Sequence, residues 1–142
     1  MEIGFYHLTR TGIGEALPRL LDRTLKAGQR AVVACPSADV LRELDAALWA
    51  APGWLPHGSE ADGDADLQPV WLALDDTPAN GARWLFAVDG ASCPNLADYD
   101  RAFDLFDGRD QVQVAAARTR WTAAADHTRV YWKQTDTGWE KA

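Results

Sequence analysis

Apolar positions along this chain switch between strand and helix spacing, and the switches predict its elements in order. Residues 3–8 (Ile-Gly-Phe-Tyr-His-Leu) have the apolar and aromatic content of a first strand, and residues 9–14 form a turn. Leu17, Leu20, Leu21 and Leu25 then recur at helical spacing, with Pro18 accepted in the first turn and Gly28 as the stop. Residues 31–35 (Ala-Val-Val-Ala-Cys) are apolar on both faces, as a central parallel strand should be. Ser37 N-caps a second helix whose inner stripe is Leu41, Leu44 and Leu48. Residues 70–74 and 84–88 are two further strands, divided by an Asp/Thr/Pro/Asn/Gly turn region. A short helix is expected over 95–102, a buried strand over 103–106, a main strand over 129–134, and a short edge strand ending at Trp139. Strands alternating with helices predict one α/β domain over residues 1–142, a three-layer α/β/α sandwich around a mostly parallel, Rossmann-like sheet.

Residues 110–125 hold the remaining helix, with Asp110 as N-cap and strong helix-forming alanines behind it. At about 100° per residue, Val112, Ala115, Ala116, Thr119 and Ala123 share one small apolar side. Val114, Arg118, Trp121 and Ala125 fall opposite. If the alanine side packs on the sheet, an arginine and a tryptophan face water together, the composition of a protein-binding hot spot. The alternative is that Trp121 folds onto a neighbouring element and Arg118 is an ordinary solvated charge.

Composition sharpens this picture. Hydrophobic residues make up 47% of the 142, seven of them tryptophan, which places the chain among folded domains. No apolar run is long enough to span a membrane, and Met1 to Tyr6 lacks a basic leader, so a cytoplasmic protein is expected. The net charge of -7 opposes direct binding to a nucleic-acid backbone. Its distribution is uneven: residues 1–108 carry 8 Lys/Arg against 17 Asp/Glu, a net -9, and residues 109–142 carry 6 against 4, a net +2. A locally basic end on an acidic chain suits a short acidic ligand.

Candidate chemistry is thin. Gly12-Ile-Gly14 matches two glycines of a dinucleotide fingerprint, but Leu17 occupies the third position, where glycine permits close helix–sheet packing. His7, His57 and His127 show no metal-ligand spacing, so neither metal nor cofactor is expected. Cys35 ends a strand before a helix N-terminus and is read as a structural thiol, an activated nucleophile being the alternative. The carboxylates of residues 60–76 read as a solvated loop. A second surface is offered by Trp49, Trp54 and Leu55 in a Pro/Gly-punctuated stretch, which either caps the core or forms a flat apolar patch for another protein.

Five blocks stand out along the chain: Phe5-Tyr6-His7-Leu8, Ala27-Gly28-Gln29-Arg30-Ala31-Val32-Val33, Leu44-Asp45-Ala46-Ala47-Leu48-Trp49, Pro56-His57, and Ala117-Arg118-Thr119-Arg120-Trp121. In this order, and over nearly the whole chain, they resemble the chi subunit family of bacterial DNA polymerase III. The resemblance implies a non-catalytic α/β/α subunit on the clamp-loader side of the replicase. It implies binding of the acidic C-terminal tail of single-stranded DNA-binding protein by Arg118 and Trp121, with Arg120 alongside; the residue chemistry adds an apolar slot beside the arginine, walled by Val114 and Trp121. It also implies a second surface at Trp49, Trp54 and Leu55 for the psi subunit or a helicase-like protein. Thr122 stands where relatives often carry Lys, leaving Arg109 and Arg129 as the cations available to thicken the basic patch. The competing reading is a nucleotide-binding α/β enzyme built on the Gly12–Gly14 turn.

Overall fold

The computed structural model describes residues 1–142. In chain order it contains β1 (Glu2–Leu8), α1 (Ile13–Lys26), β2 (Ala31–Ala34), α2 (Ala38–Ala50), β3 (Gly58–Ser59), β4 (Val70–Ala73), β5 (Trp84–Val88), β6 (Arg101–Asp107), α3 (Gln111–Ala123), β7 (Thr128–Gln134) and β8 (Trp139–Lys141). The strands form one eight-stranded sheet in the order β3-β4-β2-β5-β6-β1-β7-β8. Every pairing is parallel except β7 with β8. No helix is long and apolar enough to cross a membrane.

The doubly apolar β2 lies between β4 and β5 with all four residues buried, so both faces are covered. Two apolar clusters sandwich the sheet. On one face, Leu17, Leu20 and Leu21 of α1 and Leu44 and Leu48 of α2 meet Val33, Leu72 and Phe86. On the other, Val114 and Ala117 of α3 meet Phe5, Leu85 and Phe106. α3 is the only helix on that side, so the β5–β6 connection completes the layer. Its anchor is the fully buried Asp76 carboxylate, which accepts from the Asn95 backbone N–H at 2.7 Å and the Asn95 side-chain amide at 3.0 Å. The Tyr99 hydroxyl donates to the Asp76 carbonyl at 2.6 Å.

Three local expectations change. The helix over 95–102 shrinks to one 3-10 turn at Leu96–Asp98, because β6 begins at Arg101 to pair along the full length of β1. The edge strand starts at Trp139 instead of ending there, after Gly138 turns the chain. Pro18 lies beyond the first turn of α1. The two-residue β3 carries no alternation that a sequence pattern could reveal.

Candidate protein-binding site

Helix α3 starts where Asp110 accepts a hydrogen bond from the Val112 N–H at 2.9 Å. Gln113 then accepts from the Asp107 backbone N–H at 2.8 Å, fixing the helix over the end of β6. The helix presents the opposite side to the sheet from the one its alanines suggest. Val114 and Ala117 are buried, Trp121 and Ala124 pack against the same cluster, and Val112 is 78% exposed. Alanine buries little area, so the face carrying the valine and the indole wins. The expected inner residues Ala115, Ala116, Thr119 and Ala123 face solvent. Val114 is therefore a core residue, not the wall of an open slot.

Trp121 is half-buried. Its ring stands edge-on to Phe5 at 5.2 Å and to Tyr131 at 5.7 Å between centroids. The Arg129 guanidinium lies 4.4 Å above it and donates to the Trp121 carbonyl at 2.7 Å. Arg118, in contrast, is exposed and no carboxylate pairs with it. Its charge reaches the half-buried Tyr131 and His7. Burial raises the Tyr131 pKa and Arg118 pulls it back. Burial, then Lys133 and Arg118, hold His7 below the usual histidine range. The His7 Nδ1 sits 2.5 Å from the Tyr131 hydroxyl.

Arg120, expected alongside Arg118, points to the other flank of α3. It donates Nε to Asp104 Oδ2 at 2.7 Å and Nη2 to Oδ1 at 2.9 Å, and both side chains are largely buried. Residues two positions apart on a helix differ by about 200°, so an Arg-x-Arg pair cannot serve one ligand from one face. Arg109 is likewise engaged, bridging both oxygens of Asp107 at 3.0 Å.

The second surface lies on the α1/α2 side. Trp49 is 70% and Trp54 86% exposed, while Leu55 packs against the core. The loop is latched by buried His57, whose ring lies tilted against Trp49 at 4.6 Å between centroids and bonds Asp45 Oδ1 at 3.1 Å and the Leu55 carbonyl at 2.9 Å. A groove of about 830 Å³ runs from this loop between α1 and α2. A Cβ on Gly14 would come 3.3 Å from that of Ala47, so helix packing accounts for this glycine.

Burial pushes both thiols up to about 12, which opposes the nucleophile reading of Cys35. At pH 8 a thiol-reactive disulfide should label neither Cys35 nor Cys93 in the native protein and both after guanidinium unfolding, read by absorbance. Fast native labelling of Cys35 would restore the nucleophile.

Tyr131 and Lys133, which stand beside His7 here, were not singled out in the sequence. The signal that marks them is alternation: Arg129, Tyr131 and Lys133 share one face of β7. A family model described as DNA polymerase III chi subunit, HolC, matches residues 1–129. No curated protein matches the chain.

Proposed function

Since the chain belongs to the DNA polymerase III chi subunit family, and so is an accessory subunit of the bacterial replicase, we propose that it is a non-catalytic adaptor whose α3 face binds the acidic C-terminal tail of single-stranded DNA-binding protein. The observation carrying this reading is Arg118: an exposed guanidinium without an acid partner, beside the half-buried rings of Trp121 and Tyr131. A tail of aspartates ending in an apolar residue and a free carboxylate needs such a fork for charge-assisted hydrogen bonds, with apolar surface beside it. Arg120 acts here as a positioning residue that holds α3 to β6. The net charge of -7 supports a protein ligand over the nucleic acid itself.

Trp49 and Trp54, with Leu55 beneath them, form a second docking surface in this reading, for psi or a helicase-like protein. Large exposed indoles beside a groove are the anchors such interfaces use. The work of the subunit is then to join the clamp-loader side of the replisome to coated single strands.

The test is a titration of a fluorescein-labelled peptide of consecutive aspartates ending in phenylalanine, followed by anisotropy. Arg118→Ala should weaken binding by about 1.5–3 kcal/mol, the range for hydrogen bonds to charged groups, with an unchanged melting temperature. Equal affinity in the variant overturns the assignment. Saturable binding of a nucleotide at micromolar concentration, read by tryptophan fluorescence, would favour the enzyme instead.

A further inference from the structure

The basic patch on α3 is sparse, because Thr122 is uncharged and Arg120 is committed to Asp104. The neighbouring face of β7 is not sparse. Arg129, Tyr131 and Lys133 alternate along β7 on the side facing α3, as the contacts of Tyr131 with Trp121 and His7 fix. We infer that β7 supplies the second and third cations of the acidic-peptide site, with Arg129 and Lys133 flanking Tyr131 opposite Arg118, and with His7 beneath them as the group that senses occupancy.

Neither Arg129 nor Lys133 makes an ion pair. Of the acids on this sheet face, Asp104 is committed to Arg120, and Glu140 lies opposite Lys133 in the antiparallel pairing of β7 with β8. Three unpaired cations against one unpaired carboxylate leave this face locally positive on a strongly acidic protein. The two β7 cations play different parts. Arg129 is fixed over the indole and bonded to the helix, so it orients Trp121 as well as lending charge. Lys133 is exposed and has only its charge to offer.

His7 supplies the readout. Around it stand Arg118 from α3, Tyr131 and Lys133 from β7, Phe106 from β6, and the Gly108 backbone, with no carboxylate in contact. Burial first disfavours its imidazolium, and the repulsion of the two cations adds to that. An aspartate-rich peptide lying across them cancels that repulsion, so the bound state holds the proton more tightly than the free state. Linkage then requires proton uptake on binding, and affinity that rises as pH falls through the window between the bound pKa of His7 and its lower free pKa.

This inference rests on the tail-binding reading, and one experiment separates their failures. The aspartate peptide is titrated against the full chain, Arg118→Ala, Lys133→Ala and Lys133→Glu, at several salt concentrations. In parallel, the His7 ring ¹³C–¹H resonance is followed through pH with and without peptide. Lys133→Ala should lose about three- to tenfold in affinity and flatten the salt dependence, and Lys133→Glu should lose more, with melting temperatures unchanged. The His7 pKa should rise on adding peptide, and rise less in Lys133→Glu. If Arg118→Ala abolishes binding while both Lys133 variants bind normally, or the His7 titration does not move, the β7 assignment is overturned and the tail reading stands. If the unaltered protein does not bind the peptide, both fall.

Discussion

Arg120→Ala is expected to destabilise the fold by about 3 kcal/mol, the low end for breaking a buried ion pair by removing one partner. The pair joins α3 to β6 through two parallel hydrogen bonds at 2.7 and 2.9 Å. Removing the guanidinium strands Asp104, a buried residue whose burial already outweighs the pull of Arg120 and lifts its carboxyl above the usual carboxylate range. The direction with pH follows from that shift. A carboxyl with a raised folded pKa takes up its proton more readily folded than unfolded, and losing Arg120 raises it further. The deficit of the variant is therefore largest at neutral pH and shrinks as pH falls through the folded pKa of Asp104. Urea midpoints of both proteins at neutral and acid pH measure this. A second variant, Arg120→Met with Asp104→Leu, should recover most of the loss, since well-packed apolar replacements of buried pairs are often neutral. A stable Arg120→Ala with peptide binding lost would instead make Arg120 a ligand-binding residue.

Gly108→Ala should cost a similar amount, about 3 kcal/mol, at the top of the usual range for overpacking. The Gly108 N–H donates to the Leu8 carbonyl at 2.6 Å, binding the end of β6 to the end of β1. A Cβ there would sit 2.5 Å from that same carbonyl oxygen and would also strike the His7 ring. A side chain could rotate away, but a backbone oxygen held in a parallel strand pair cannot. The strand ends must part or His7 must leave Tyr131. Thermal unfolding reads the first consequence and the His7–Tyr131 contact in an NOE spectrum reads the second. An unchanged melting temperature together with an intact contact would refute the argument. Gly28→Ala is the natural comparison: its φ of +77 strains a side chain, but a Cβ there meets nothing within 4 Å. Its cost should be limited to about 1 kcal/mol of left-handed backbone strain.

Much of the chain's order was legible because it rests on short-range chemistry. Ser37 and Asp110 cap the helices they were expected to cap, the first bonding the Val40 N–H and the second that of Val112. The leucines of α1 and α2 recur with a period only a helix can bury on one side. The four buried residues of β2 required a strand covered twice. Exposed Trp54 lies in a loop that Pro52, Gly53 and Pro56 keep out of regular structure, and exposed Trp49 stands in the last turn of α2 just before it.

The functional face was less legible, and α3 shows why. A helix of alanines with one valine on each side has almost no periodic preference, so local spacing cannot choose which side faces the sheet. That choice was made by a gap between Phe5 and Tyr131 large enough for an indole, two residues that lie more than a hundred positions from each other. The same packing sent Arg120 to Asp104 and left Arg118 free, a division invisible in an Arg-x-Arg string. It also brought His7 to Tyr131 across the β1–β7 pairing. By itself, then, the sequence determined the order of elements, the parallel sheet and the family, because caps, periods and motifs act within a few residues. Only the tertiary structure decided which cations remain available, because that depends on which carboxylates and rings distant strands carry to the same side of the sheet.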